Sequence, residues 1–408
     1  MSVIPIVAMF ALFSGAGEKA DGGRLVEARY LADAKRLAQE FIIADTHIDV
    51  PYRLWKKMDN ISAATEDGDF DYPRAREGGL DAVFMSIYTP WELEKQGGSK
   101  ALADSLIDLV EGFAVQWPAK FALAASVDEV REAVDANRIA LMLGMENGSP
   151  VEGELENLAY FFGRGVRYIT LTHSKDNHIC DSSYDTSGTW GGLSPFGKKV
   201  VAEMNRLGII IDVSHLSDEA FYQVMELSHA PVVASHSSAR HFTPGFERNM
   251  DDDMIRLLAR KGGVIQINFG SIFISDECRR RFYAGKDKAE EYALENGLEP
   301  GGKEARAWRK AYFEKNPVGF ADVSDVANHI DHVVRLVGVD HVGFGSDFDG
   351  VGDSLPTGLK DVSQYPNLIA TLLARGYSEE HIEKMCSGNV LRVWREVERI
   401  ARESRASR

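Results

Sequence analysis

Cysteine is scarce in this chain of 408 residues: there are three, Cys180, Cys278 and Cys386, far apart in sequence. None forms a C-x-x-C pair, which argues against a thiolate zinc site, and three thiols make no disulfide framework, one bridge at most. Positive charge is in deficit, 46 Lys and Arg against 62 Asp and Glu, giving a net charge of −16. That disfavours nucleic acid or an anionic membrane surface as a partner. No G-x-G-x-x-G turn follows the first apolar run, so the usual dinucleotide crevice is not signalled. Linkers and sequence-level repeats are also lacking. The C-terminal residues 402–408 hold no hydrophobic tail of the kind that precedes a lipid anchor.

Long apolar stretches are nearly absent. Residues 3–13 are apolar and are followed by Ser14-Gly15-Ala16-Gly17. The run is too short to span a membrane but suits a signal-peptide core, with Ser14-x-Ala16 as a small-x-small cleavage site, although no Lys or Arg precedes it. Residues 1–22 are therefore expected to be a signal peptide or N-terminal apolar segment, and the protein to be exported to the periplasm. The alternative is a short apolar helix packed on the body of a cytoplasmic protein. No later stretch reads as a transmembrane helix, so no stable membrane insertion is expected. Residues 23–408 are expected to form a single domain.

What the chain does hold is a rhythm. Hydrophobic content of 44% is enough for a sizeable core. Eight short apolar runs read as buried strands: 41–44 leading into Asp45-Thr46-His47-Ile48-Asp49, then 82–88, 139–147, 166–173, 209–215, 231–236, 264–269 and 341–347. Helical stretches alternate with them near 24–40, 100–116, 126–136, 251–260 and 323–337, and two more close the chain near 362–375 and 378–401. Another opens at Ser194-Pro195, with Ser as N-cap and Pro at the first helical position, and ends near Leu207-Gly208. Ser217 caps the next. Buried strands alternating with helices imply a parallel sheet covered on both faces, and eight such units close into a (β/α)8 TIM barrel of the α/β class. An open doubly wound sheet is the alternative. The segment 275–319, charged and helix-prone around Pro300-Gly301-Gly302, breaks the rhythm. It is expected to be a helical insertion between the seventh and eighth strands, made of short helices on the barrel mouth. A solvated excursion is the simpler reading and a lid the other.

In a barrel the C-terminal ends of all the strands meet on one face. His47, Asp49, Glu146, His173, His215, His236 and Asp347 fall at such ends, and four of the 11 histidines are among them. Imidazoles and carboxylates converging in this way suit a divalent metal such as zinc. The set is too rich for one four-coordinate ion, and two ions sharing a carboxylate would use it well. In that arrangement His47 and Asp49 hold one ion, His215 and His236 the other, and Glu146 bridges. Asp347 is either a further metal contact or a proton shuttle, and Asp349, two residues on, could share its face.

The chain resembles the membrane (renal) dipeptidase family of the amidohydrolase superfamily over roughly residues 40–400. The resemblance rests on Asp45-Thr46-His47-Ile48-Asp49, Gly144-Met145-Glu146-Asn147-Gly148, Leu171-Thr172-His173 and Gly192-Leu193-Ser194-Pro195-Phe196-Gly197. It continues through Ile211-Asp212-Val213-Ser214-His215, Ser235-His236-Ser237-Ser238-Ala239-Arg240, Gly345-Ser346-Asp347-Phe348-Asp349-Gly350 and Gly388-Asn389-Val390-Leu391-Arg392-Val393. What it implies is a two-zinc dipeptidase acting on small dipeptides, including L-Xaa-D-Xaa pairs, through a metal-bridging hydroxide. The implied ligands are His47, Asp49, Glu146, His215 and His236. It further implies that His173 polarises the scissile carbonyl, that Arg248 binds the substrate carboxylate, that Asp347 shuttles the proton, and it leaves open a homodimer. Hydrolysis of a lactone or an N-acyl amino acid on the same metals is one alternative, a non-catalytic metal-binding barrel another. Departures from the animal members are Gly270 where a larger residue is expected, a longer 275–319 insertion, and no counterpart of their disulfides.

Overall fold

The computed structural model describes residues 28–299 and 302–406. The segment 1–22 and the Pro300-Gly301 pair lie outside the described residues. Among the described residues nine parallel strands form one sheet: β1 (Ile43–Ile48), β2 (Leu80–Tyr88), β3 (Phe121–Leu123), β4 (Ile139–Glu146), β5 (Val166–Thr170), β6 (Ile210–Asp212), β7 (Val233–Ser237), β8 (Val264–Ile267) and β9 (Val342–Phe344). Eight of them run in the order β1-β2-β4-β5-β6-β7-β8-β9, with β3 paired on the side to β4. The last returns to the first: Asp347 donates its N–H to the His47 carbonyl at 3.0 Å, Asp49 to that of Phe348 at 2.9 Å. The fold is the expected (β/α)8 barrel, nearly closed, and β3 is an addition that a three-residue run did not reveal.

The strands are apolar because both faces are covered. Alternation sorts their residues into two layers. Ala44, Ala82, Phe84, Ala140, Met142, Tyr168, Ile210, Val233 and Val264 fill the barrel interior together with Trp394 and Val390 of the C-terminal helix Asn389–Ala406. Val83, Met85, Leu141, Leu143, Ile211, Ala234 and Ile265 face outward into the helical layer. The Phe84 and Trp394 rings lie 5.5 Å apart, so the C-terminal helix plugs the floor of the barrel and leaves the mouth to polar residues.

Two irregularities interrupt the alternation at the mouth. Along β1, Asp45 pairs with Val83 and Ile48 with Met85, three steps against two. Along β7, Ala234 pairs with Ile265 and Ser237 with Ile267, again three against two. Each is a one-residue bulge, which turns the following side chains to the other face. Strict alternation from the interior residues Ala44 and Val233 would point His47 and His236 outward; the bulges turn them inward.

The insertion is more ordered than short helices. It comprises the turn Ser271–Ile274 and two helices, Asp276–Glu295 and Lys303–Lys315. Ile272, Phe273, Cys278, Phe282, Phe313 and Val318 pack with Phe246 into a separate apolar cluster, so the segment is anchored and is not a purely solvated excursion. Gly270 starts it. A Cβ there would lie 2.8 Å from the Phe273 ring and 2.9 Å from a Val351 methyl, so a larger residue would have to displace those side chains. The three cysteines are free and buried. Among the described residues no helix is long and apolar enough to cross a membrane.

One buried histidine outside the mouth couples the fold to pH. His329, on the helix Val323–Val337, accepts the Ala239 N–H at Nδ1 (3.0 Å), which leaves Nε2–H to donate to the Ile274 carbonyl (3.2 Å). Burial, with some help from His332 and His241, lowers its pKa from 6.5 to about 3. Between those values the unfolded chain holds a proton that the folded chain does not, so stability is lost as pH falls, at up to about 1.4 kcal/mol per pH unit. In chemical denaturation at pH 7 and pH 5, His329→Gln is expected to lose less stability on acidification than the wild type. Equal losses would contradict this.

Candidate metal and catalytic site

Seven sequence-predicted residues, with Arg248 as an eighth, come together at the barrel mouth, and all are buried. Glu146 ends β4, where alternation from Ala140 and Met142 turns it inward. Four imidazoles surround its carboxylate. Nε2 of His215, His236 and His173 lie 3.2, 3.3 and 3.5 Å from Oε1, and Nε2 of His47 lies 3.5 Å from Oε2. Asp49 Oδ2 is 3.5 Å from the same His47 nitrogen. Asp347 joins His47 and Asp49, with ligand atoms of the three within 4.8 Å of one another.

The strands stop short of several of these residues. Asp49 is the N-cap of the helix Val50–Lys56 and no longer part of β1. His173, His215 and Asp347 each stand three residues past the last residue of β5, β6 and β9. His215 and Asp347 take the left-handed conformation, with φ of 71° and 63°, an uncommon choice for non-glycine residues that re-aims their side chains. Asp349 does not share the Asp347 face. It accepts from Arg53 Nε at 2.8 Å and from the Asp69 N–H at 2.7 Å, which ties it to the loop after β1.

The electrostatics follow from burial and crowding. Burial alone would raise the Glu146 carboxyl, but the four histidines hold it well below the usual carboxylate range. Burial, with Arg248 nearby, pushes His215 and His236 well below the ordinary imidazole value, and burial also lowers His173. Asp347 is pushed well up by burial and by the neighbouring carboxylates of Asp49 and Glu146.

These residues fit a divalent metal. The Nε2 atoms of His215 and His236 lie 2.9 Å apart, and the buried His47 Nε2 has no hydrogen-bond partner while it faces two carboxylates. Imidazoles converging on carboxylates are the donor set such an ion takes. Tyr168 steadies the first imidazole, its hydroxyl 2.8 Å from His47 Nδ1. Gly144 makes room for that phenol, since a Cβ there would lie 2.1 Å from the ring.

Arg248, which the resemblance assigns to the substrate carboxylate, is buried. Its guanidinium donates to the Ser237 hydroxyl (2.8 Å) and the His236 carbonyl (2.9 Å) and stands 2.9 Å from His215 Nε2, while its Nε has no partner. Asn268, which sequence reasoning passed over, donates to Asp347 Oδ2 at 2.7 Å. Its signal was its place at the end of the seventh apolar run, one residue past β8. The insertion reaches the same region: the Phe273 ring lies 5.5 Å from the Arg248 guanidinium, and Tyr184, packed on the insertion's cluster, 6.0 Å from the His215 ring.

Gly350 supports two of the carboxylates. A Cβ there would lie 2.0 Å from Asp347 Oδ1 and 2.2 Å from Asp49 Oδ2. Gly350→Ala is therefore expected to displace both and to lower kcat/KM by about 10²-fold, the scale of an ångström-sized misplacement, with unchanged circular dichroism. Unaltered kinetics would mean that these carboxylates do not form the reacting centre.

Residues 31–408 match the model of the membrane dipeptidase family, peptidase family M19. The chain is 32% identical over 390 residues to Dipeptidase 3 of Mus musculus, covering 92% of this chain and 68% of that protein. It is 32% identical over 374 residues to an uncharacterised dipeptidase of Schizosaccharomyces pombe, covering 88% and 81% of the two chains. The probable dipeptidase PvdM of Pseudomonas aeruginosa has a similar solved structure, with a TM-score of 0.80 and 28% identity over 92% of this chain and 100% of that one. A buried constellation of imidazoles and carboxylates at the mouth of a (β/α)8 barrel defines a metal-dependent hydrolase. The chain belongs to the membrane dipeptidase family and is a metallo-dipeptidase, an enzyme that hydrolyses dipeptides with a metal cofactor.

Proposed function

We propose that the cofactor is a pair of zinc ions, held by His47, Asp49, Glu146, His215 and His236, and that the substrates are dipeptides with free termini, L-Xaa-D-Xaa pairs among them. The observation that carries this reading is the single buried carboxylate with four imidazole Nε2 atoms within 3.5 Å, three on one oxygen and one on the other. Such a carboxylate serves two groups of ligands at once. When bound, the ions supply a water of lowered pKa as nucleophile and polarise the peptide carbonyl.

The chain's own residues do the rest. Arg248 is fixed by Ser237 and the His236 carbonyl, and its unpartnered Nε–H offers a further donor to the C-terminal carboxylate of the substrate. His173, kept neutral by burial, gives a hydrogen bond to the carbonyl oxygen as it gains negative charge. Asp347, oriented by Asn268, takes the proton of the attacking water and delivers it to the leaving amine nitrogen as the C–N bond breaks. The products are two amino acids.

A panel of L-L and L-D dipeptides, each also N-acetylated or C-amidated, tests the substrate assignment. Cleavage that requires both free termini is expected. Cleavage of lactones, or of N-acyl amino acids in preference to dipeptides, would shift the assignment to another amidohydrolase reaction. Binding without turnover would indicate a non-catalytic barrel. The apolar run at residues 3–13 supports export as the location, which fractionation tests, and a homodimer is the assembly we propose, to be read by light scattering.

A further inference from the structure

Behind His236 lies a chain of hydrogen bonds with one permitted direction. Asp212, the last residue of β6, is fully buried and by alternation from Ile210 points into the barrel. Its Oδ1 accepts the backbone N–H of Ser214 at 3.0 Å and of Ser235 at 2.8 Å. Its Oδ2 accepts the hydroxyls of Thr170 at 2.5 Å and of Ser235 at 2.6 Å. The Ser235 Oγ lies in turn 2.7 Å from His236 Nδ1.

Four donors, two N–H groups and two hydroxyls, converge on the Asp212 carboxylate, so it acts as the acceptor and the single proton of the Ser235 hydroxyl goes to it. Toward His236 the hydroxyl then has lone pairs alone. The imidazole must carry its proton on Nδ1, which leaves Nε2 bare, and Nε2 is the atom 3.3 Å from Glu146 Oε1. The β7 bulge makes this arrangement, since Ser235 faces the interior by alternation from Val233 and the bulge turns the adjacent His236 the same way.

We propose that Asp212 and Ser235 are positioning residues that fix the tautomer of His236, so that its bare Nε2 is presented to the metal centre. The inference rests on the reading of that cluster as a metal centre. Asp212 acts through Ser235 and touches no substrate.

Asp212→Asn tests it with little change of shape. The two backbone N–H groups hold the amide oxygen at the Oδ1 position, so the NH₂ takes the place of Oδ2 and donates to Ser235. Ser235 then donates to His236 Nδ1, and the ring proton moves to Nε2, the wrong atom for a ligand. The full chain, labelled with ¹⁵N only at histidine, is read by NMR, with the His236 signal assigned by its loss in His236→Gln. An Nδ1–H tautomer is expected in the wild type and Nε2–H in Asp212→Asn. Zinc affinity, from competition with a chromophoric chelator, is expected to fall by about 10- to 100-fold in Asp212→Asn for one of the two ions, the range for partners that orient metal-binding histidines. Ser235→Ala removes the acceptor without reversing it and is expected to give mixed tautomers and a fall of about tenfold at most.

Zinc affinity within twofold of wild type together with a retained Nδ1–H in Asp212→Asn would overturn the proposal. Should that variant not fold, a wild-type tautomer and wild-type affinity in Ser235→Ala would do the same. Failure of the metal-centre reading looks different, because the wild-type chain itself would then take up no zinc, while the tautomer readout would still decide the hydrogen-bond assignment.

Discussion

Glu146→Gln is expected to cost about 3–5 kcal/mol of binding free energy, roughly 10²- to 10⁴-fold in zinc affinity, and to abolish measurable dipeptide hydrolysis at equimolar metal. The glutamine has nearly the same shape, so the effect isolates charge and donor chemistry. In the wild type the carboxylate faces four imidazoles, His173, His215 and His236 at one oxygen and His47 at the other, and both oxygens can accept. An amide offers one oxygen and turns an N–H₂ group toward the remaining nitrogens. It also removes the one negative charge that all four rings share. That charge is strongly favoured where it stands, since the histidines hold the Glu146 carboxyl well below its ordinary range against the opposing effect of burial. Titration of the metal-free variant with zinc, beside the wild type, checks the prediction. Affinity within tenfold of wild type would remove Glu146 from the centre of the site.

Asp347→Asn is expected to act on turnover with metal binding largely intact. Asn268 donates to Asp347 Oδ2 at 2.7 Å, so in the variant the amide oxygen takes that position and the N–H₂ is left at Oδ1. No group remains there to accept a proton from water or return one to the leaving amine. Loss of a positioned acid-base group lowers kcat by about 10²- to 10⁴-fold, and KM should change little, because the affected interaction develops in the transition state. Steady-state kinetics on a cleaved dipeptide, with metal content measured on the same samples, decide it. Turnover near wild type would take the shuttle role away from Asp347, and loss of metal in step with activity would make it a ligand instead.

The barrel was legible because its strands are covered on both faces and therefore read as apolar runs. β3 was not, since Phe121–Leu123 lies in a short alanine-containing run, leaves Leu123 exposed and pairs with a single neighbour. The convergence of His47, Asp49, Glu146, His173, His215, His236 and Asp347 could be read from their places at the ends of apolar runs. The means of convergence could not. Bulges turn His47 and His236 inward, and positive φ angles re-aim His215 and Asp347. Neither device has a mark in a single sequence, because the residues involved are not glycines. The layer behind the site stayed hidden for another reason. Tyr168, Asp212 and Ser235 read as plain strand residues until the fold shows what each one touches.

The proposed function stands on a two-ion site at which dipeptides are cleaved. Hydrolysis of a dipeptide by the purified full chain before and after chelation, with elemental analysis of the same samples, tests it. Activity that disappears with the chelator and returns with zinc, at about two ions per chain, is the predicted result. Full activity in a chain freed of metal, or a chain that takes up no zinc at all, would contradict the account at the strand-end ligands on which it stands.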